Sequence, residues 1–376
     1  MGYRVLFYSD YQSVYGGNFI PSLRKMEMYV IGKGGSCVWV FPQQACEMSW
    51  CQELVADGHD IVFRPATGTL GLVRWLRDLV KEREVDIVHV HLAKVAVPAL
   101  VGLIIPSLKV LYQVHSDWSL GHGEPVVEKA KSLPKKFLTS RVLQVAVSRE
   151  LGEKLGCPYV ENGIDLLRVH GLDELSRADI RKRYGVCDDS ILVTVYAWSP
   201  EVKGLDVACA AVDELRKRGY DFQLGVVCAE DVGRTKRWVD EKTSVPSSSS
   251  WLHFLQPVED VFDYHAIADI VLSASRSEGF SYVLCEAILA GKPCVASDIP
   301  GTKWSGAFET VGFFESENYL SCAEALARVN ECRRVEGFDE ALRRSAEKCS
   351  YMYNAQRWAE EMYAIYDDVC AKESQR

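Results

Sequence analysis

Two glutamates, Glu278 and Glu286, are spaced so that they could hold one ligand from both sides of a helix start. They lie in the segment SEGFSYVLCEAILAG, and the apolar residues at 270–273 before it predict a buried strand. A loop holds Glu278, and the pattern then predicts a helix that begins near Ser281 and ends at Gly291. Glu286 would lie roughly 7–8 Å along the helix axis. The backbone N–H groups of the first turn, between the two carboxylates, favour an anion such as a phosphate.

A nucleoside-diphosphate sugar has a matching layout, because its diphosphate carries a sugar on one side and a ribose on the other. Each ring offers neighbouring hydroxyl groups, and one ionised carboxylate can accept hydrogen bonds from two of them. Glycoside hydrolases also use paired carboxylates, but those flank a bond with no phosphate-binding helix between them. The segment therefore favours a nucleotide-sugar site over a glycoside hydrolase site.

Short apolar runs alternate with segments of helical period along most of the chain, which is typical of parallel sheets covered by helices on both faces. The pattern pauses in the polar stretch 166–190 and then restarts. We therefore predict an α/β protein of two Rossmann-like, doubly wound domains that face each other across a cleft. The expected domains are residues 1–165, with a closing helix from 355–376 crossing back to them, and residues 166–354. The predicted strands are Tyr3–Tyr8, Cys37–Phe41, Asp60–Phe63, Asp86–His91, Lys109–Val114, Val142–Val147, Ile191–Tyr196, Phe222–Val227, Trp251–Leu255, Ile270–Ser273 and Pro293–Ala296.

The composition is that of a soluble globular protein, with 376 residues, 48% apolar residues and a net charge of −9. The longest apolar run, 95–105, is too short to span a bilayer, and a strand-like segment at 3–8 leads us to expect no signal peptide. Thirteen cysteines without a Cys-x-x-Cys pair indicate a reducing compartment, so we expect a cytoplasmic protein. The acidic charge argues against nucleic acid as a partner. Without an Asp-x-Asp sequence, we expect neither a divalent metal nor another cofactor.

In doubly wound sheets, ligands bind beyond the carboxyl ends of the strands. The loop after the first predicted strand, SDYQSVYGGNF, contains Gly16 and Gly17 but lacks the G-x-G-x-x-G fingerprint, which disfavours an NAD enzyme. Other strand ends carry His89, His91 and His115. For His89 and His91 we favour a packing role or an acceptor-side role over metal binding.

These segments together resemble glycosyltransferase family 4, the group 1 glycosyl transferases, which are retaining enzymes of the GT-B fold. The E-x7-E segment at 278–286 carries the resemblance, and the likeness extends over most of the chain. The combination is specific for the family and does not identify a substrate. The other matching segments are VAVSRELGEKL at 145–155, ENGID at 161–165, VKGLDVACAAVDEL at 202–215, WLHFLQPVEDVFDYHAIADIVLSAS at 251–275 and NAQRWAEEMYAIYDDV at 354–369.

The resemblance implies transfer of a glycosyl group from a nucleoside-diphosphate sugar to a hydroxyl acceptor, with retained anomeric configuration. Glu278 would then hold hydroxyl groups of the donor sugar, and Glu286 would hold the ribose. Lys203 would neutralise the leaving diphosphate, and His115 would lie near the donor sugar and the site of attack. The remaining donor contacts would come from Gly16, Gly17, Gly279, Phe280, Ser281, Tyr282 and Val283, with N–H groups of the last two facing the diphosphate.

One position departs from the family pattern. The family has an arginine five residues before its lysine, and Trp198 occupies that position here. Either Arg276 or another basic group substitutes, or Lys203 and the helix start suffice, or the site is weakened or inactive. For Trp198 itself, filling a gap is favoured over stacking on the donor.

Two other functions stay open from the sequence, a nucleotide-sugar 2-epimerase of the same fold and a non-catalytic binding subunit. The expected acceptor is a sugar or a lipid-linked sugar, used in the synthesis of cell-surface glycans or glycolipids. The stretch Lys129–Arg141 has five basic residues and no acidic one, so it could attach the protein to the anionic inner face of the plasma membrane. A solvated helix face explains the same pattern equally well.

Overall fold

The computed structural model describes residues 2–115, 142–169, 174–187, 189–228, 231–258 and 261–371. The chain divides into two compact units, the first comprising Met1–Asp165 and Ala355–Arg376 and the second Leu166–Asn354. The basic stretch Lys129–Arg141 lies outside the described residues, so its attachment to a membrane stays a hypothesis. Among the helices that are described, none is both long and apolar enough to cross a bilayer.

The first unit is built on one six-stranded sheet in which every strand pair is parallel. Its strands are β1 (Arg4–Ser9), β2 (Ser36–Pro42), β3 (Ile61–Arg64), β4 (Ile87–His91), β5 (Lys109–Val114) and β6 (Val142–Ala146). The order is β3-β2-β1-β4-β5-β6. Its helices in the first stretch of chain are α1 (Phe19–Gly32), α2 (Ser49–Ala56), α3 (Thr69–Glu82), α4 (Ala96–Ile104) and α5 (Arg149–Leu155). The central strands β1 and β4 are buried, which explains their nearly continuous apolar runs.

The second unit repeats this topology. Its strands are β7 (Ile191–Ala197), β8 (Phe222–Cys228), β9 (Leu252–Leu255), β10 (Ile270–Ser273), β11 (Cys294–Ser297) and β12 (Val311–Phe314). The sheet order is β12-β11-β10-β7-β8-β9, again with parallel pairs throughout. Its helices are α6 (Glu174–Arg183), α7 (Leu205–Lys217), α8 (Val232–Lys242), α9 (Phe262–Ile267), α10 (Tyr282–Leu289), α11 (Tyr319–Cys332) and α12 (Phe338–Met352). The prediction of two doubly wound parallel sheets is confirmed, although β12 was not predicted.

The closing helix, α13 (Ala355–Ala371), returns to the first unit and packs against α1. Its buried residues Trp358, Met362 and Tyr366 recur every four residues, so they form one apolar stripe on the helix. This apolar stripe is buried in the hydrophobic core of the first unit.

The strand order of each sheet reverses beside its first strand, between β1 and β4 in the first unit and between β7 and β10 in the second. Doubly wound sheets bind their ligands beyond the carboxyl ends of the strands at such a point. In the second unit, the loops 198–204 and 274–281 leave β7 and β10 there. These two loops carry Lys203 and Glu278.

Candidate functional site

The loop after β7 brings Lys203 to the end of β10. It ends at Gly204, whose φ of +63° lies in the left-handed region that favours glycine. A Cβ atom at Gly204 would lie 2.0 Å from the carbonyl oxygen of Ala274, which follows β10. A second link joins the two loops, because the Arg276 N–H donates to the Val202 carbonyl at 2.8 Å. Gly204 therefore permits the close approach that places the lysine.

Lys203 and Glu278 meet directly in the structure. The Lys203 Nζ donates to Glu278 Oε1 at 2.5 Å, and the Ser275 Oγ donates to the same oxygen at 2.7 Å. The exposed fractions of the lysine and glutamate side chains are 20% and 13%, so the pair is largely shielded but still reached by solvent. The arrangement joins one cation and one carboxylate in a place where a charged ligand with hydroxyl groups could exchange contacts with both.

The loop that holds Glu278 is fixed from behind by a 3-10 helix at Pro300–Ala307. Phe280 stacks on Trp304 with ring centroids 4.7 Å apart, and the Ser281 N–H donates to the Gly301 carbonyl at 3.2 Å. A Cβ atom at Gly301 would lie 2.2 Å from the Glu278 carbonyl oxygen. Gly279, in the same loop, is buried. The backbone that presents Glu278 is therefore held against this 3-10 helix and has little freedom.

The helix α10 begins at Tyr282, one residue after the predicted start. Tyr282 and Val283 are half-buried at its first turn, beside the Glu278 loop. Glu286 lies in the second turn and is 5% exposed. Its Oε2 lies 3.4 Å from Nε2 of the buried His265. The structure thus places both predicted carboxylates on the same edge of the second unit, with the helix start between them.

Arg276, one candidate for the cation that the family arginine would supply, contacts carboxylates of the second unit, and its role as a substitute cation stays a hypothesis. Its Nη1 and Nη2 donate to Oδ1 and Oδ2 of Asp206 at 3.0 and 2.7 Å, and its Nε lies 3.3 Å from a carboxylate oxygen of Glu317. The guanidinium is therefore already paired with two carboxylates. Trp198 is 41% exposed, and whether it fills a gap or stacks on the donor stays a prediction.

In the first unit, the predicted glycines and His115 come together around Phe19, the first residue of α1. Gly17 has a φ of +55°, and Gly16 is buried with its carbonyl accepting from the Ile20 N–H at 3.2 Å. The centroid of the Phe19 ring lies 6.4 Å from that of His115, which directly follows β5. These residues share the carboxyl edge of the first sheet, as the sequence predicts.

Three imidazoles adjoin one another at this edge. The ring centroids of His89 and His91 are 3.8 Å apart, and those of His91 and His115 are 5.9 Å apart. Burial lowers the pKa of His115 to about 4, and it lowers the pKa values of His89 and His91 well below the ordinary value, with neighbouring imidazoles adding to the shift. Within the described residues, no group of three or more His, Cys, Asp and Glu side chains could hold a metal ion. Because their pKa values are lowered, all three imidazoles are neutral at pH 7.

Several residues at this edge of the second unit were not selected from the sequence. Gly204, Ser275 and Gly301 shape the Lys203–Glu278 contact, and Tyr196 and His265 lie behind Glu286. The dipeptide Lys203-Gly204 before a helix is the kind of signal that could have identified the first of them. A polar tyrosine inside an apolar strand, Tyr196, is a second such signal.

Residues 189–330 match the family model described as Glycosyl transferases group 1. This stretch lies within the second unit and includes Lys203, Glu278 and Glu286. The prediction of a group 1 glycosyl transferase is confirmed over these residues, whereas family 4 within that group stays a prediction. No curated protein matches the chain.

Solved structures resemble the whole chain. A glycosyltransferase from Rickettsia africae aligns with a TM-score of 0.78 over 98% of each chain, at 15% identity. Anabaena HepE in complex with UDP-glucose aligns with a TM-score of 0.76 over 97% of this chain and 100% of its own, at 16% identity. A sucrose-phosphate synthase from Thermosynechococcus elongatus aligns with a TM-score of 0.76 over 98% of this chain and 100% of its own, at 15% identity. The predicted GT-B fold is confirmed.

Proposed function

We propose that the protein is a retaining glycosyltransferase of family 4 that moves a glycosyl group from a nucleoside-diphosphate sugar to a hydroxyl acceptor. The contact between Lys203 and Glu278, at the switch point of the second sheet and beside the start of α10, carries this proposal. The match of residues 189–330 to the group 1 glycosyl transferases supports it. So does the fold shared with HepE, whose structure holds UDP-glucose.

The donor would bind along the carboxyl edge of the second unit. Its diphosphate would meet the Lys203 ammonium and the first turn of α10 at Tyr282 and Val283, where backbone N–H groups favour negative charge. Glu286, further along the same helix, would accept hydrogen bonds from the ribose. Glu278 would accept from hydroxyl groups of the transferred sugar. The loop of Gly279, Phe280 and Ser281 would let the ligand approach the backbone closely.

Binding requires an exchange of partners at Lys203. In the structure, the ammonium is neutralised by Glu278 in a partly buried ion pair. A diphosphate is a stronger partner, because it carries more negative charge and more acceptor oxygens. When Lys203 turns to the diphosphate, the Glu278 carboxylate is released for the sugar hydroxyl groups. The two halves of donor recognition are coupled through this side chain.

The chemical step separates the anomeric carbon from the diphosphate oxygen. Negative charge then grows on the leaving diphosphate, and a fixed cation beside it stabilises the transition state more than the ground state. Lys203 and the α10 start would supply this stabilisation without a metal ion. The acceptor hydroxyl would attack from the face that the diphosphate leaves and would give its proton to the departing diphosphate oxygen, so that the configuration is retained. His115, whose depressed pKa keeps it neutral at pH 7, could accept a hydrogen bond near that point.

The first unit would take the acceptor. Gly16 and Gly17 would let the backbone of this unit approach the donor's diphosphate, and His115 would lie near the donor sugar and the site of attack. We propose a sugar or lipid-linked sugar as the acceptor, in the synthesis of cell-surface glycans or glycolipids. Attachment to the inner face of the plasma membrane through Lys129–Arg141 is part of the same proposal. Vesicle flotation of the full chain with neutral and with anionic lipids examines that part independently of turnover.

A donor screen tests the activity. Wild-type protein is mixed with UDP-, ADP- and GDP-sugars, with and without sugar and lipid-linked acceptors, and nucleoside diphosphate release is measured in the presence of chelator. Lys203→Ala should lower kcat/KM by a hundredfold or more, since it removes the principal cation on the leaving group. The matched control is Lys217→Ala, which removes an exposed lysine paired with Asp213 on α7.

Different products would change the assignment. Epimerised sugar formed without an acceptor would indicate a 2-epimerase instead. Tight nucleotide binding without any turnover would indicate a binding subunit. Loss of activity in chelator, restored by magnesium or manganese, would refute the metal-independent mechanism.

A further inference from the structure

A chain of buried polar groups lies behind Glu286. Tyr196 in β7 is 3% exposed, and His265 in α9 is fully buried. The Tyr196 Oη lies 3.1 Å from Nδ1 of His265, and Nε2 of the same ring lies 3.4 Å from Oε2 of Glu286. One imidazole therefore joins a strand tyrosine to the carboxylate of the helix.

The direction of the hydrogen bonds follows from the carboxylate. An ionised carboxylate only accepts, so Nε2 of His265 must carry its proton to interact favourably with Glu286. In the neutral imidazole, Nδ1 is then an acceptor, and the Tyr196 hydroxyl is the group that can donate to it. The Val261 carbonyl lies 3.5 Å from the same hydroxyl and is the poorer acceptor by distance. Burial and the negative charge of Glu286 raise the pKa of Tyr196 well above its usual value, so the hydroxyl keeps its proton.

The ring of His265 is also held from its sides. Its centroid lies 5.0 Å from that of Tyr196 and 5.8 Å from that of Phe262. A buried ring with fixed neighbours has few rotamers, so its Nε2–H points in a defined direction. A carboxylate that accepts from such a donor is fixed in rotation about its last bond. Glu286 is therefore presented to a ligand in one orientation.

We propose that Tyr196 and His265 are positioning residues for ribose recognition, which orient the Glu286 carboxylate toward the two neighbouring ribose hydroxyl groups of the nucleotide. This inference rests on the proposed function, because it takes Glu286 as the ribose-binding residue. Neither side chain needs to touch the ligand. Their effect on nucleotide affinity passes through Glu286 and depends on the ribose hydroxyl groups.

Calorimetry with nucleoside diphosphates tests the proposal. UDP, ADP and GDP are titrated into wild-type protein, and the tightest is compared with its 2′,3′-dideoxy analogue. Tyr196→Phe should lower the affinity for the ribonucleotide roughly three- to tenfold, which is the size expected for the loss of one buried hydrogen bond. The dideoxy analogue should bind wild type and Tyr196→Phe alike. In steady-state assays the variant should raise KM for the donor and leave kcat nearly unchanged.

Three further variants separate positioning from folding. His265→Leu should weaken the ribonucleotide at least as much as Tyr196→Phe, whereas His265→Gln, which keeps a donor near the Nε2 position, should restore part of the affinity. Tyr264→Phe is the matched control, because it removes a buried hydroxyl next to His265 that bonds instead to Tyr184 and to the Gln256 carbonyl. It should leave the preference for ribose unchanged.

The outcomes are distinct. Equal weakening of the ribonucleotide and its dideoxy analogue in Tyr196→Phe would overturn the inference, as would unchanged affinity for both. Either result, with wild-type protein that still prefers the ribonucleotide, leaves the proposed function standing. Wild-type protein that binds none of the three nucleotides would overturn the proposed function and the inference together.

Discussion

At the scale of single residues, the ion pair of Lys203 and Glu278 is the central feature of the second unit. The lysine ammonium and the carboxylate neutralise each other in a partly buried position, with Ser275 donating to the same carboxylate oxygen. In the proposed function, each partner of this pair is matched to a different part of a nucleotide-sugar. Glu286 lies further along α10, where its carboxylate contacts His265. The two glutamates should therefore act separately.

We expect Glu286→Gln to lower the affinity for nucleotide and Glu278→Gln to lower turnover. Glu286→Gln should lower the affinity for free nucleoside diphosphate about tenfold, because the ribose loses a charged hydrogen-bond acceptor. Glu278→Gln should lower turnover by tenfold or more, while free nucleotide binds equally well or tighter, since Lys203 loses its competing partner. Calorimetry and steady-state assays measure the two effects. Equal weakening of free nucleotide by both changes would show that the two ends of the donor are wrongly assigned.

At the scale of secondary-structure elements, two glycines set the positions of the reactive loops. Gly204 lets the loop after β7 approach the end of β10, and Gly301 lets the 3-10 helix Pro300–Ala307 contact the backbone of Glu278. The aromatic stack of Phe280 on Trp304 reinforces the second contact. Each glycine occurs where a Cβ atom would meet a carbonyl group, which cannot move without shifting the loop.

Gly301→Ala should therefore act on Glu278 without changing any polar group. The added Cβ would lie 2.2 Å from the Glu278 carbonyl oxygen, so the loop must shift, at a cost of about 1–3 kcal/mol in unfolding free energy. Turnover should fall by tenfold or more. Gly306→Ala on the same 3-10 helix is the control, since its Cβ would lie 3.6 Å from the Phe313 ring, an ordinary contact. If both variants keep the wild-type kcat and unfolding free energy, the contact between Gly301 and the Glu278 backbone is unimportant.

At the scale of the whole molecule, the C-terminal helix α13 packs against the first unit and contacts a buried histidine there. Tyr366 of α13 lies with its Oη 2.8 Å from Nδ1 of His89, and the rings of His89 and Tyr366 meet edge to face. The core of the first unit is thus completed by residues from both ends of the chain. The neutral imidazoles of His89, His91 and His115 make the stability of this unit depend on pH.

We expect the first unit to lose stability as the pH falls below about 6.5, the ordinary pKa of histidine. The unfolded chain then gains protons at His89, His91 and His115, whose lowered pKa values keep them neutral in the fold. Each contributes a loss of about 1.4 kcal/mol per pH unit between 6.5 and its folded pKa, which is about 4 for His115. Urea unfolding at pH 7.5, 6.5 and 5.5 measures the slope. In His91→Phe, which keeps a ring at that position, the slope should fall by at most about a third. An unchanged slope would contradict this assignment.

Local patterns in the sequence were sufficient for most of the fold. Strands of apolar and β-branched residues alternate with helices of period 3.6, and these periodicities depend only on neighbouring residues. The start of α10, its end before Gly291 and the placement of both glutamates followed from the same local rules. The strand β12 was not predicted because it is short, contains Gly312 and pairs with one neighbour at the edge of its sheet.

Contacts between distant parts of the chain were decided only by the tertiary structure. Lys203 and Glu278 are 75 residues apart, and no local pattern states that their side chains meet. Likewise, no local pattern states that the guanidinium of Arg276 pairs with Asp206 and Glu317. The sequence alone determines which chemical groups are present and which elements carry them. Their mutual distances depend on how the elements pack, because packing joins residues whose positions in the chain are unrelated.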